Sequence, residues 1–115
     1  MKRTLELTPD LLRAYSRRGN FHSDPEAAAA LGYERLVAQG MQVAGPAYGL
    51  LLDEWGEEFL AQGEIELKFV GAVTDGQSVE ARVDPGSEDA MIEVENLSTG
   101  RTAVVGRAVR RSPVP

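Results

Sequence analysis

The side chain best suited to chemistry in this 115-residue sequence is its only histidine, His22, in the segment GNFHSDPEAAAALG, residues 19–32. Imidazole gains and loses a proton near neutral pH, so it is the side chain most often used as a general acid or base. A helix-start signal, Ser23, Asp24 and Pro25, follows at once. Two interpretations are open: His22 does acid–base chemistry, or it is an incidental polar side chain beside a helix cap.

Charged segments form a second set of candidates. The segments RAYSRRG (13–19) and GRTAVVGRAVRR (100–111) are basic, whereas residues 53–66 and 84–95 are acidic. The formal net charge of -6 opposes long-range attraction to nucleic acid, so we expect no nucleic-acid partner. The basic segments fit an anionic ligand such as a phosphate-bearing carrier, and the alternative is ordinary solvated charge.

Length and composition predict one small globular domain, residues 1–111, followed by a frayed tail at residues 112–115. The sequence has no cysteine, so it offers neither disulfides nor thiolate ligands, which is typical of a reducing compartment. The N-terminal MKRTLELTPD lacks the apolar run of a signal peptide, and no stretch approaches the length of a membrane span. We therefore expect a cytoplasmic protein that does not bind membranes.

The N-terminal third is predicted to consist of short elements. TLEL, residues 4–7, reads as a short strand. A helix follows, with Thr8 as its cap and Gly19 placed to end it. A second short helix repeats the pattern, with Ser23 or Asp24 as the cap and a glycine as the stop. Asp24 therefore already has a sufficient structural role.

The longest predicted element is a helix that begins near Met41. Its apolar residues recur at steps of three and four, which is typical of a helix with one buried face. They are Met41, Ala44, Tyr48, Leu51, Leu52, Trp55 and Phe59. Ala47 and Leu50 widen this stripe, so we expect the helix to be enclosed on more than one side. Because Pro46 lacks an N–H donor, the helix is expected to begin only shortly before it.

After Gly63 the apolar period changes to two, which predicts strands. Four strands are predicted in EIELKFV, SVEARV, MIEVEN and TAVVGRAVR, joined by the turns TDGQ, DPGSED and LSTG. This spacing predicts an antiparallel meander, with Gly106 at a bulge or a close approach. The element order indicates an α+β fold in which one long helix is wrapped by a curved antiparallel sheet. The other sheet face would pair with a second subunit or face water.

Two parts of the sequence resemble the family of MaoC-like dehydratases. FHSDPEAAAALGYERLVAQGM resembles that family's H-x-D-P-x-x-A-x-x-x-G-[FY] and [HQ]-G-M motifs, with matches at His22, Asp24, Pro25, Ala28, Gly32, Tyr33, Gln39, Gly40 and Met41. LKFVGAVTDGQSVEARV and VENLSTGRTAVVGRAVRR resemble its later strand with a loop and its terminal hairpin. The resemblance extends over about residues 4–111. It implies the hotdog fold, in which the long helix is the sausage and the sheet is the bun.

Active members of this family are (R)-specific enoyl-CoA hydratases or 3-hydroxyacyl-thioester dehydratases. The resemblance therefore implies an acyl thioester of coenzyme A or acyl carrier protein as substrate, a homodimer, and neither a metal nor a redox cofactor. Such chemistry needs a general base for water, a proton donor for the α-carbon, and hydrogen-bond donors at the thioester oxygen. The resemblance gives the first role to His22 and the last to the backbone at Gly40. We further expect four residues to contact the substrate: Arg17, Asn20, Gln39 and Met41.

The sequence departs from the family where the partner of the histidine is expected. Family members carry Asp in the pattern D-x-x-x-x-H, whereas the residue five before His22 is Arg17. Arg17 either binds a charged group of the substrate or lies at a solvated helix end, where it complements the helix dipole. Asp24 or a distant carboxylate could replace the missing group. The open functions are a hydratase or dehydratase, a drifted acyl-CoA-binding or accessory subunit of a hetero-oligomer, and, less favoured, a thioesterase using Asp53 or Glu54.

Overall fold

The computed structural model of the protein describes residues 1–15, 20–33, 35–86 and 88–110. The strands are β1 (Lys2–Glu6), β2 (Glu64–Phe69), β3 (Ser78–Pro85), β4 (Asp89–Asn96) and β5 (Arg101–Val109). The helices are α1 (Pro9–Tyr15), α2 (Pro25–Ala30), α3 (Gly40–Trp55) and α4 (Glu57–Gln62). This confirms the predicted order of a strand, short helices, a long helix and four further strands.

The five strands form one antiparallel sheet in the order β1-β3-β4-β5-β2. The predicted meander is confirmed for β3, β4 and β5 only, because β2 does not pair with β3. β1 occupies the outer edge of β3, where Leu5 lies opposite Val79, so β2 pairs with the remaining edge, that of β5. The segment between β2 and β3 therefore crosses the sheet and does not form a hairpin.

Gly106 on β5 is a point of close approach and not a bulge. A Cβ atom at this position would overlap the carbonyl oxygen of Glu66 and would lie 2.8 Å from Cδ2 of Leu67. The irregular register lies elsewhere on β5, at Ala103, because Val94 of β4 pairs with Val104 and the next residue, Glu95, pairs with Thr102. β2 runs close beside β5 because residue 106 has no side chain.

Helix α3 packs against β1, β3, β4 and β5, and the core lies between them. Its buried residues are Gln42, Val43, Ala44, Pro46, Ala47, Leu50, Leu51 and Trp55. The predicted buried stripe is wrong at its first residue, because Met41 is 45% exposed in the first turn of the helix. Tyr48 is half-buried, and this burial raises the pKa of its phenol, which favours the protonated form.

The helix predicted to continue as far as Phe59 is interrupted at Gly56. Gly56 has a φ of 69°, a conformation that side-chain-bearing residues rarely adopt, and its N–H donates to Leu52 at the end of α3. Helix α4 then turns back toward α3, and the Phe59 ring lies 5.6 Å from the ring of Trp55. Phe59 therefore reaches the core as predicted, but from a second helix.

Helix α3 begins at Gly40, one residue before the predicted start at Met41, so the helix begins six residues before Pro46. Pro46 lies inside the helix and is buried. Since it has no N–H, the carbonyl of Gln42 receives no helical hydrogen bond. The side chain of Gln42 is buried as well, and its Nε2 donates to the carbonyl of Leu11 at 3.0 Å, which connects α1 to the first turn of α3.

The predicted caps of the two short helices are confirmed. Thr8 Oγ1 accepts a backbone N–H in the first turn of α1 at 3.1 Å. Asp24, and not Ser23, caps α2, because its carboxylate accepts the N–H of Glu26 at 3.0 Å. The predicted end of the first helix at Gly19 and the predicted C-terminal tail lie outside the described residues.

Candidate active site

His22 is half-buried and is held by one hydrogen bond through its ring. Its Nδ1 atom lies 2.6 Å from the carbonyl oxygen of Val37, and its backbone N–H donates to the side chain of Asn20 at 3.0 Å. A carbonyl oxygen can only accept, so Nδ1 must carry the proton that it donates to Val37. In the neutral ring Nε2 therefore has a free lone pair, which is the form of imidazole that can act as a base.

The carbonyl that holds His22 belongs to a small layer of three segments, which are the turn at residues 20–22 and the neighbouring residues 36–38 and 73–75. Val37 donates its N–H to Phe21 at 3.2 Å on one side. On the other side Ala38 donates to Val73 at 2.7 Å, and Asp75 donates to Leu36 at 2.9 Å. We call this arrangement the three-segment layer. It fixes the direction in which the Val37 carbonyl points, and therefore the position of the imidazole ring.

The N-terminus of α3 provides hydrogen-bond donors at the same end of the molecule. Gln39 is the N-cap residue, and its carbonyl accepts the N–H groups of Gln42 and Val43 at 3.0 and 3.1 Å. Within the described ranges, no acceptor is bonded to the backbone N–H groups of Gly40 and Met41. Unpaired N–H groups and the positive end of the helix dipole favour a partly negative oxygen at this place.

A cavity of about 360 Å³ adjoins Gly40. Its lining carries no charged side chain and consists of Ala38, Gly40, Val43, Phe69, Val70, Gly71, Ala72, Val73 and Val104. Phe69 covers Gly40 so closely that a Cβ atom on the glycine would lie 2.7 Å from ring carbons Cδ1 and Cε1. The absence of a side chain at residue 40 therefore allows the Phe69 ring to form part of the cavity wall.

His22 and Gly40 are brought to the same end of α3. The His22 ring is bonded to Val37, and three peptide units separate Val37 from Gly40, so their Cα atoms are at most roughly 11 Å apart. His22 itself does not line the cavity at Gly40. The two predicted groups are thus connected through the short segment of residues 37–40, which bonds His22 at one end and enters α3 at the other.

The four residues predicted to contact substrate have different surroundings. Asn20 uses its side-chain oxygen within its own turn, where it accepts the N–H of His22 and lies 3.3 Å from the hydroxyl of Ser23. Gln39 is half-buried at the helix cap, and Met41 is exposed beside it. Arg17 lies outside the described residues.

No carboxylate of the described residues forms a hydrogen bond or an ion pair with His22. The carboxylate of Asp24 caps α2, and that of Asp53 pairs with Arg3. The described part of the chain also contains no group of three or more side chains placed to hold a metal ion. None of its helices has the length and apolar character needed to cross a membrane.

Two residues of this site carry no assigned role in the sequence-based prediction. Val37 contributes only its backbone carbonyl, and a backbone atom leaves no residue-type signal. Phe69 belongs to the alternating pattern of the predicted strand EIELKFV, and in the structure it is 50% exposed and covers Gly40. Its position at the end of the alternating strand, directly before the glycine of FVGAV, is the signal that could have indicated a cavity wall.

The chain is similar to known proteins in both sequence and structure. A family model described as MaoC like domain matches residues 2–106. A MaoC-like dehydratase from Phytophthora capsici superposes with a TM-score of 0.81 and 19% identity, over 99% of this chain and 42% of that one. The (R)-hydratase from A. caviae involved in PHA biosynthesis has a TM-score of 0.75 and 22% identity, over 98% of this chain and 93% of that one. No curated protein sequence matches the chain.

A third similar structure is the C-terminally truncated HadBC (3R-hydroxyacyl-ACP dehydratase) complex from Mycobacterium tuberculosis. It has a TM-score of 0.67 and 21% identity, over 92% of this chain and 88% of that one. This chain spans less than half of the Phytophthora protein and nearly all of the A. caviae protein. The structural similarities confirm the predicted α+β hotdog fold.

Proposed function

The chain belongs to the family described as MaoC like domain, whose model covers residues 2–106, and from this premise we propose that it hydrates 2-enoyl thioesters or dehydrates 3-hydroxyacyl thioesters. The observation that carries the proposal is the bond from Nδ1 of His22 to the Val37 carbonyl. It leaves Nε2 as a base at the end of the molecule where α3 offers unpaired N–H groups.

In the proposed hydration, Nε2 of His22 takes a proton from water while the water oxygen forms a bond to C3 of the acyl group. The electron pair of the C2–C3 double bond moves toward the thioester, so negative charge grows on its carbonyl oxygen. The N–H groups of Gly40 and Met41 stabilise that charge. The imidazolium then returns its proton to C2, and dehydration follows the same steps in reverse.

This route uses one residue for both proton transfers, because Arg17 stands where the family carries its Asp. Addition of water to the double bond transfers protons but neither oxidises nor reduces the substrate overall. The proposal therefore requires neither a metal nor a redox cofactor. The cavity at Gly40, with its small and uncharged lining, is proposed to take the acyl group, carried as a thioester of coenzyme A or acyl carrier protein.

We further propose a homodimer formed through the outer edge of β2. Among the described strands β2 pairs only with β5, so its second edge is available to another copy. A residue on the two-fold axis of such a dimer lies opposite its own copy. An axis at Glu66 or at Lys68 would therefore place two like charges opposite each other. An axis at Leu67 instead places Glu66 opposite Lys68 and Ile65 opposite Phe69, each pair twice.

The charge pairing across this edge gives a direct test of the dimer. Lys68→Glu would place like charges opposite each other and is expected to raise the fraction of monomer in light scattering after gel filtration. The double variant with Glu66→Lys and Lys68→Glu restores opposite charges and should recover the dimer. If the single and the double variant have the same mass as the wild type at every concentration, the edge is not the interface.

The catalytic proposal is tested with crotonyl-CoA and longer enoyl-CoAs, by following the loss of the conjugated thioester absorbance. His22→Asn keeps an N–H that can donate to Val37 but has no base, and His22→Ala removes both. We expect both variants to lose at least about a hundredfold in kcat, since general acid–base catalysis contributes this much or more. Turnover that persists in both variants would exclude His22 as the base.

A second candidate function is supported by the surroundings of His22, which include no carboxylate partner among the described residues. A member of the family that lacks the second acid–base group could bind acyl thioesters as an accessory subunit beside an active partner. This function predicts saturable binding of acyl-CoA, measured by calorimetry, with no turnover of any enoyl-CoA by the purified protein. Turnover that depends on His22 would exclude it.

A further inference from the structure

A polar network with the buried Asn96 at its centre lies behind the three-segment layer, on the side away from His22. Asn96, at the end of β4, is only 2% exposed. Its Nδ2 donates to Oε1 of Gln77 at 2.8 Å, and the same oxygen accepts the backbone N–H of Thr74 at 2.9 Å. The side-chain oxygen of Asn96 in turn accepts the N–H of Ser98 at 3.0 Å. One amide oxygen of Gln77 thus joins the sheet to the turn at residues 74–77.

This turn is the outer segment of the three-segment layer. Thr74 lies opposite Val37 in an antiparallel bridge. Continuous contacts therefore run from Asn96 through Gln77 and Thr74 to the segment that carries the Val37 carbonyl, and from that carbonyl to Nδ1 of His22. The turn is also bonded to the residue after β1, since Gly76 donates to the carbonyl of Leu7 at 2.7 Å.

We propose that Gln77 is a positioning residue for His22, which fixes the protonated form of the ring through the turn and the Val37 carbonyl. Without Oε1 of Gln77, Thr74 N–H and Asn96 Nδ2 lose their acceptor, and Asn96 is almost fully buried, so water cannot readily replace that acceptor at Nδ2. Both groups must then turn toward other partners, which moves residues 73–75 and the paired segment, residues 36–38. The Val37 carbonyl loses its alignment with the imidazole, and Nδ1 and Nε2 compete for the proton.

The test uses the fact that His22 is the only histidine, so its two ring nitrogens give the only imidazole signals in a ¹⁵N NMR spectrum. In the wild type, Nδ1 is expected to carry the proton at a pH where the ring is neutral. Gln77→Met has a side chain of similar length without an acceptor, and is expected to shift both signals toward an average of the two neutral forms. Gln77→Glu keeps an oxygen that only accepts, and should restore the wild-type spectrum.

Two further variants complete the experiment. Gln62→Met makes the same substitution at an exposed site at the end of α4 and should leave the imidazole signals unchanged. Gln77→Asn keeps the amide but shortens the side chain, and replaces Gln77→Met as the test if the latter does not fold. Imidazole signals that stay at their wild-type positions in the folded Gln77 variant used would overturn the proposal.

The consequence for turnover rests on the proposed function. If the site is a hydratase, Gln77→Met lowers kcat by about tenfold because the base is misplaced. Movement of Val73 and Ala38, which line the acyl cavity, is expected to change KM by a smaller factor. A change in KM alone would contradict the positioning role. If the wild type turns over no thioester but Gln77→Met still shifts the imidazole signals, the proposed function fails and the role of Gln77 in fixing the ring stands.

Discussion

The close contact between Gly40 and Phe69 leads to a prediction that separates the shape of the site from its hydrogen bonds. Gly40→Ala leaves the backbone N–H in place and adds only a methyl group. That methyl would lie 2.7 Å from Cδ1 and Cε1 of Phe69, whereas ordinary van der Waals contact begins at 3.4 Å. The ring must therefore retreat by about 0.7 Å, or rotate away from the helix.

The expected effect on stability is small. Phe69 is half-exposed in the single chain, so its ring can turn away from the helix without disturbing the backbone of β2. Alanine in place of glycine favours a helix by about 1 kcal/mol, which offsets part of the lost packing. We expect the free energy of unfolding, measured in urea, to change by less than about 1 kcal/mol. A displacement of the cavity wall by about 0.7 Å is instead expected to reduce kcat/KM by about tenfold or more.

A double-mutant cycle with Phe69→Ala tests whether contact with the Phe69 ring causes the loss of kcat/KM in Gly40→Ala. In the absence of the Phe69 ring, the added methyl group meets no obstacle, so Gly40→Ala should have little further effect on kcat/KM. The expected coupling between the two sites is at least about 1.4 kcal/mol, which corresponds to a factor of ten in rate. Effects that simply add would refute the explanation and would indicate that the methyl group acts on the helix N-terminus itself.

Three other substitutions test the framework around the site. Gly106→Ala would place a methyl group on the backbone of Glu66, which cannot rotate away, so we expect a loss of about 3 kcal/mol in urea unfolding; an unchanged midpoint would contradict the close approach. Asp24→Ala should cost about 1 kcal/mol as a lost cap. If turnover of the folded variant also falls sharply, Asp24 is the missing partner of His22. Arg82 pairs with Glu80, Glu93 and Glu95, and its hydrogen bonds to Glu95 and Glu80 raise the pKa of the guanidinium. Arg82→Met should lower the melting temperature at low salt, and this difference should shrink at about 1 M salt, where the repulsion among the carboxylates is screened.

The spacing of the apolar residues is sufficient to predict most helices and strands, because an element that buries one face must repeat apolar residues at its own period. The alternation of Val79, Ala81 and Val83 and the caps at Thr8 and Asp24 are local features, and the structure confirms them. The extent of the long helix was predicted less well. The apolar spacing continues as far as Phe59, but Gly56 ends α3 and lets a second helix carry that residue into the core.

Features that depend on distant pairing were not accessible from the sequence. Nothing local to EIELKFV indicates that β2 pairs with β5 and not with the strand that follows it. The hydrogen bond that orients His22 ends on a backbone carbonyl, which any residue at position 37 would supply. The resemblance placed His22 and Gly40 in one site, but the contact between Phe69 and Gly40 and the role of the turn at residues 74–77 required coordinates.

The position of β2 at the edge beyond β5 also determines when the protein can complete its fold during synthesis. Ribosomes deliver a chain from its N-terminus, so α3 and β2 emerge well before β5, residues 101–109. Until β5 appears, Ile65 and Leu67 have no strand beside them, and β1 likewise waits for β3. A nascent chain that stalls before residue 101 would present an unpaired apolar strand to chaperones, and β2 pairs within the sheet only once β5 has been made.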